Sequence, residues 1–491
     1  MLIGIAVLAC MPAVCQEPEA LPSIPQESDY LLVEGYPLTE EQILEVGGIT
    51  FLPDGRPMVC TRRGEVYIVK NAFAENIEDA SLELFTDGLQ EPLGLLAEED
   101  GWIYLTQRGE VSRMRDDDGD GRMDRIETIC EDWELSGNYH EYCFGPRRAP
   151  DGSLWITLNK PFGPEPFGRV EWRGYAMRLD GRKAVPEAAG LRSPAGVEFS
   201  PWGELFYTDN QGEWCGASKL SLITPGSFHG HPHGVPSAKS PRWKHPLPPD
   251  SPNGILFPLF AEQQPTFQMP AVWFPYDKVG RSPAGIAWDT KGAFGPFKGQ
   301  CFVVDQYEAL IMRVSLEQVD GHWQGAVYRF REGLACGAIR LAFADDGSLL
   351  VGETNRGWGG KGSKSFGLER VRWRGETPFE VLSTHAKHDG FELRFTKPVD
   401  KRTAKDTDNY KLESYTYLLH SDYGSPEVER QQLEVRSVKV SEDGLSVRLK
   451  IDGLRKGYVH EFHLDGLLES GGAPLLHAAI YYTLSHLAPP E

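Results

Sequence analysis

Hydrophobic and polar residues alternate along most of this chain in short runs, and the runs come in pairs joined by Asp-Gly or similar turns. Alternation with a period of two marks a strand with one face buried, and such turns supply the positive φ that a hairpin requires. The same unit, with a small or apolar start, a strand, a turn, a second strand and a polar tip, occurs six times. The copies are GITFLPDGRPMVCTRRGEVYIV from Gly48, GLLAEEDGWIYLTQRGEVSRM from Gly94, YCFGPRRAPDGSLWITLN from Tyr142, GVEFSPWGELFYTDN from Gly196, GIAWDTKGAFGPFKGQCFVVDQ from Gly285 and RLAFADDGSLLVGETNRG from Arg340. Most recur about every 45 to 55 residues, near the blade length of propellers. One such sheet cannot bury both faces alone. Radial stacking buries them and points the loop ends at a common axial pocket. The expectation is an all-β chain with a six-bladed β-propeller over residues 28–375, against an unrelated string of hairpins or a jelly roll.

The gap between the fourth and fifth copies holds a long stretch rich in Pro, Gly and His, which is expected to lie beside the pocket as a binding loop or lid. After about Glu376 the repeat stops. FELRFTKPVDKRTAKDTDNYKLESYTYLL, LEVRSVKVSEDGLSVRLKIDGL and YVHEFHLDGL then alternate as strands, predicting a C-terminal β-sandwich over 376–487. These strings resemble the immunoglobulin-like modules appended to secreted bacterial enzymes.

With 491 residues the chain is long enough for two domains and a sizeable core, and its 53 Gly and 36 Pro suit many short strands joined by turns. The formal charge of -21 argues against a nucleic-acid partner, because phosphate binding needs clustered Lys and Arg. Beyond the N-terminus no apolar run reaches the roughly 20 residues that cross a bilayer. Residues 1–16 read as a signal peptide, with cleavage after Cys15 or Gln16, so a secreted or periplasmic protein is expected. The string Val7-Leu8-Ala9-Cys10 loosely matches a lipoprotein box, leaving lipid anchoring as the alternative. Six cysteines then remain, at 60, 130, 143, 215, 301 and 336, without a close C-x-x-C pair. Structural zinc and covalent haem are disfavoured, whereas disulfides and buried free thiols both stand open.

RDDDGDGRMDRIE is the most specific metal signal. Asp116, Asp118, Asp120, Gly121, Asp124 and Glu127 fall at positions 1, 3, 5, 6, 9 and 12 of a calcium loop, and Arg122 at the position that gives a backbone carbonyl. Its flanks alternate like strands, so calcium would brace a hairpin here. His229, His231 and His233 also alternate, which would put three imidazoles on one face as a metal site or as a hydrogen-bonded loop.

NYHEYCFGPRRAPDGSLWITLN, GLRSPAGVEFSPWGELFYTDNQGEW, SKLSLITPGSFHGHP, FVVDQYEALIMRV and AIRLAFADDGSLLVGETNRGWGG resemble the glucose/sorbosone dehydrogenase propellers, and more closely still their secreted relatives named as membrane-bound dehydrogenases. The likeness covers roughly residues 40 to 372. It implies an exported oxidoreductase in which pyrroloquinoline quinone (PQQ) on the axis takes a hydride from an aldose or related sugar. His140 would be the base that removes the hydroxyl proton. Arg192 and Arg340 would contact the quinone. The polar blade tips Asp209, Asn210, Gln211, Asp305, Gln306, Asn355 and Arg356 would line a sugar-sized pocket or serve as ordinary turn and cap residues. The sequence departs from the family pattern at Ser193, Ala338 and Tyr307, where an asparagine and two basic residues are expected. Lacking a C-x-x-C-H, the chain would pass electrons to a separate cytochrome. The rival is a non-catalytic carbohydrate- or protein-binding propeller that has lost the cofactor. A calcium-dependent hydrolase or lactonase is a third reading, disfavoured because the calcium loop sits in a blade hairpin.

Overall fold

The computed structural model describes residues 24–162, 170–355 and 359–490. The expected signal segment 1–16 and Arg356 lie outside the described residues. Six four-stranded blades surround one axis. Their innermost strands are Val46–Phe51, Leu95–Ala97, Cys143–Arg148, Pro194–Phe199, Pro283–Trp288 and Ala338–Phe343, and each packs on the next in a closed ring. Each copy found in the sequence supplies the two inner strands of a blade. Five blades are separate sheets, and the sixth blade takes its outermost strand, Leu31–Gly35, from the N-terminal side, paired antiparallel to Phe366–Trp373. That pairing joins the two ends of the ring.

The ring closes tightly because of one repeated residue. Gly48, Gly94, Gly145, Gly196 and Gly285 hold equivalent places on five innermost strands, where a Cβ on Gly94 would lie 1.7 Å from the Gly145 carbonyl oxygen and one on Gly196 2.0 Å from that of Ala284. No side chain fits there, so the backbones approach each other directly. The sixth blade breaks the pattern with Arg340. Its guanidinium fills the axis and donates to the carbonyls of Gly47 at 2.7 Å, Leu93 at 3.1 Å, Ala195 at 3.1 Å and Ile339 at 2.8 Å, each belonging to the residue before the repeat position. Burial, with help from the nearby Arg147, pushes its pKa down to about 9.

Blade five, Pro283–Trp288, Cys301–Asp305, Leu310–Val319 and His322–Arg331, is part of an eleven-stranded sheet. Its outer strand pairs with Ala479–Leu484, matching Gly325 to Thr483 and Val327 to Tyr481. The sheet continues to the thirteen-residue strand Val428–Val440, whose first part pairs with Lys411–Thr416 and whose second pairs with Ser446–Asp452. That strand turns the sheet back over a second core of Phe391, Leu393, Leu449, Phe462 and Tyr482, which also takes in Ala326 and Tyr328 of blade five. The C-terminal strands therefore enclose a sandwich-like core, but as an extension of a blade. A buried ion triad fastens the same region to the N-terminal side: His477 lies 2.9 Å from Glu27 and 2.6 Å from Glu380, and although burial opposes it, the two carboxylates raise the imidazole to about 9.

The long stretch between blade-four strands runs against the flank of blade three. The His229 and His231 amides donate to the carbonyls of Ala189 and Gly190, and Arg242 donates to the carbonyls of Asp132 and Ala184. Phe228, Trp243, Phe257 and Phe260 are buried in the main core, and none of the stretch lines the axial pocket. The expected lid is thus a buttress, because its aromatic residues are drawn into the core. All six cysteines of the described residues are buried free thiols. No helix of the described residues is long and apolar enough to cross a membrane.

Candidate functional site

In four blades the residue directly after the second strand lines a pocket at one mouth of the axis: Arg62, Asn159, Asn210 and Gln306. A second set comes from the segments that lead into innermost strands: His140 and Tyr142 before blade three, Arg192 and Ser193 before blade four, and Ser282 before blade five.

His140 is 3% exposed, and its Nδ1 lies 2.8 Å from the Lys160 carbonyl. A carbonyl only accepts, so Nδ1 carries the hydrogen and Nε2 is the unprotonated nitrogen. The Ser193 hydroxyl stands 3.2 Å from Nε2, and the Asn159 amide lies 3.3 Å from that hydroxyl. Burial pushes the imidazole down to about 3; the Lys160 carbonyl resists, and the positive charges of Arg192 and Lys160 add to the fall. His140 is therefore a neutral base near pH 7.

Arg192 lies against the Phe162 and Tyr423 rings, each centroid 5.2 Å from the guanidinium, and donates to Glu213 from Nε at 3.1 Å and Nη2 at 2.9 Å. Lys160 pairs with the other Glu213 oxygen. Burial alone would raise Glu213, but Arg192 and Lys160 hold it down to about 2. Tyr423 comes from the C-terminal module, on a loop tied to blade four through Trp214 N to His420 O at 2.8 Å and Ser425 N to Gly216 O at 2.8 Å. The module thereby supplies a pocket wall.

Several expected pocket residues serve the scaffold. Asp209 accepts from the Ser193 and Arg192 amides at 2.7 and 3.1 Å. Asp305 does the same one blade on, from Arg281 and Ser282 at 2.6 Å each and from Glu308 at 2.8 Å, and burial pushes it up to about 6. Asn355 accepts from the Gly337 amide at 2.8 Å, and Gln211 donates to the Gly216 carbonyl at 3.2 Å. Asp209, Asp305 and Asn355 thus clamp the turn that enters their own blade and Gln211 the connection that follows it, so these polar atoms face backbone. Arg340 also falls outside the pocket, beneath its floor with Phe144 over the guanidinium at 4.9 Å. Of the expected residues His140, Arg192, Asn210 and Gln306 do meet at the cavity. The amide oxygens of Asn159 and Asn210 are buried there with no protein partner among the described residues.

The acidic loop joins Val111–Arg115 to Arg125–Cys130, two outer strands of blade two, as the alternating flanks imply. Asp116, Asp118 and Asp120 bring carboxylate oxygens within 4.8 Å of one another, the one such group among the described residues. Asp124 accepts from the Asp117 amide at 2.7 Å, and the Arg122 amide donates to Asp120 at 2.8 Å. Glu127 departs from the expectation. It sits opposite Arg113 across the strand pair and accepts from it at 2.6 and 2.9 Å, turned away from the loop. His229, His231 and His233 do not converge as metal ligands; their alternation is interrupted by a short helical turn over Pro232–Gly234.

A family model described as a domain of unknown function (DUF7133) matches residues 51–245, less than half of the chain. No curated protein matches. Similar solved structures include the PQQ-bound aldose sugar dehydrogenase of Streptomyces coelicolor, at 15% identity and TM-score 0.48, covering 72% of this chain and 100% of that one. The soluble aldose sugar dehydrogenase of Escherichia coli in its apo form matches at 16% and 0.48, over 70% and 100%. The PQQ domain of pyranose dehydrogenase from Coprinopsis cinerea matches at 11% and 0.49, over 73% and 98%.

The described residues do not form a site for a polyanionic quinone. Arg192 is paired with Glu213, Arg62 with Glu45 and Glu91, and Arg340 is bound to four carbonyls below the floor. Among the described residues, the cations near the axis are thus already paired with carboxylates or out of reach.

Proposed function

We propose that the axial pocket binds an aldose or related polyol, and that His140 takes a proton from one of its hydroxyls. The observation that carries this reading is a cluster of polar groups in the cavity: the Asn159 and Asn210 amide oxygens, without a protein partner among the described residues, and His140 Nε2, which meets only the Ser193 hydroxyl. Hydroxyls both donate and accept, so a sugar satisfies all of them, and a buried polar group left unmatched would cost about 1–3 kcal/mol. Proton removal by a positioned imidazole is the first half of alcohol oxidation, which supports a sugar-oxidising oxidoreductase. The second half requires an electron acceptor, for which the site residues name no holder, and no step is drawn through one. A second reading, a carbohydrate-binding propeller without redox chemistry, is favoured by the burial of Arg340. Calcium at Asp116, Asp118 and Asp120 would brace the blade-two hairpin in either case.

Purified protein is titrated with aldoses by calorimetry, then incubated with calcium and PQQ and assayed for quinone binding and dye-linked sugar oxidation. Sugar binding with no quinone binding selects the carbohydrate-binding reading, and sugar oxidation abolished in His140→Ala selects the oxidoreductase. Absence of sugar binding and of oxidation rejects both.

A further inference from the structure

At the opposite mouth of the propeller a cleft of about 540 Å³ is lined by the innermost strands of all six blades and by turns of the last three. The Arg340 guanidinium and the Phe144 ring separate it from the pocket of His140. Its volume falls within the roughly 300–1,000 Å³ of small-molecule sites. Three cations line it, and each is already paired: Arg147 with Glu198 at 2.6 Å, Arg148 with Glu98 at 2.6 Å, and Lys291 with Asp345 at 2.5 Å. An anionic ligand finds no open cation there.

Two polar atoms among the lining residues are unmatched. The Trp288 indole N–H and Asp289 Oδ2 are buried without a protein partner among the described residues, on residues only 7% and 2% exposed, at the end of a blade-five strand. The other Asp289 oxygen is held by the Gly292 amide at 2.7 Å, which fixes the carboxylate in place. The indole requires a ligand that accepts, and the carboxylate one that donates. An ammonium compound answers only the second, and a carboxylate only the first. A hydroxylated ring answers both.

An aromatic platform adjoins these groups. Trp202 is 52% exposed, stacks on Trp323 at 4.9 Å and meets Trp288 edge-on at 5.6 Å. An exposed, braced indole offers an apolar face of the kind that covers the C–H face of a sugar ring. We propose that this mouth is a second binding site, for a neutral saccharide, independent of the His140 pocket.

The test uses the full chain and three probes, maltotriose, cellotriose and triacetylchitotriose, followed by calorimetry and tryptophan fluorescence. At least one probe is expected to bind and shift the emission. Asp289→Asn and Trp202→Ala are expected to weaken that binding at least tenfold, while Asn159→Leu in the other pocket leaves it unchanged. Trp202 is exposed, so its variant stays informative even if the Asp289 change impairs folding. No response to any probe at millimolar concentration overturns the proposal. So does binding weakened only by Asn159→Leu, or tighter binding of choline or acetate than of the saccharides.

Discussion

Arg192 and Arg340 are both nearly fully buried cations near one axis, yet they belong to different kinds of region. Arg340 is surrounded by backbone carbonyls from four blades, a partner set that satisfies a guanidinium and leaves no face for a ligand. Arg192 is held by a carboxylate on one edge and aromatic rings on its faces, at the wall of a cavity. Burial alone therefore does not tell a functional cation from a structural one. The distinction lies in the partners: backbone carbonyls that the fold must satisfy anyway, or side chains at the wall of a cavity.

The strongest way to break this contrast is to remove each guanidinium. Arg340→Met leaves four buried carbonyls unmatched and is expected to cost on the order of 4 kcal/mol or more, read as a lowered urea midpoint. Arg192→Met should cost on the order of 2 kcal/mol, since Lys160 remains beside Glu213, and its main effect should be on sugar affinity. Equal losses of stability would erase the distinction.

The histidines extend the comparison through pH. His477 is raised to about 9, so its contribution, roughly 2–3 kcal/mol, is full below its unfolded value near 6.5 and disappears as pH rises through about 9. His477→Gln should flatten that alkaline limb of the stability curve. His140 is lowered to about 3, so protonation favours the unfolded chain and its penalty grows only as pH falls from about 6.5 toward 3. Sugar affinity should accordingly be level from about pH 5 to 8; a midpoint near 6.5 would contradict the buried, neutral imidazole.

Smaller effects sharpen the pocket itself. Asn159→Leu is expected to reduce sugar affinity about tenfold, or 1.4 kcal/mol, with little change in stability. Tyr423→Ala removes a 63% exposed ring from beside Arg192 and should cost about 0.5–1 kcal/mol of affinity, seen by calorimetry.

The propeller was legible because its inner strand pairs repeat, and the glycine shared by five of the six copies marks the closest approach at the axis. The same register also sets the polar strand ends. Asn210, Gln306 and Asn355 follow the second strands of the last three blades, and Arg62, Gln107 and Asn159 hold the matching places in the first three. Aligning all six copies at the strand end would have found Arg62 and Asn159. The one non-glycine at the axis, Arg340, was visible as an exception whose role depends on carbonyls that no sequence displays. Asp209 and Asp305 looked like pocket groups because a carboxylate that caps a turn and one that meets a ligand occupy the same kind of position. Lys160, Glu213 and Tyr423 had no local signal, since their roles arise from contacts between blades and with the C-terminal module.

The continuity between blade five and the last strands also bears on solubility. The ten-residue strand His322–Arg331 has its outer edge paired with Ala479–Leu484 and its Ala326 and Tyr328 inside the second core. A chain cut near residue 375 would leave that edge bare, with unpaired amides beside apolar side chains, the arrangement that recruits strands from other molecules. The C-terminal module thus acts as a guard against self-association, and a truncated propeller should collect in aggregates where the full chain stays dispersed.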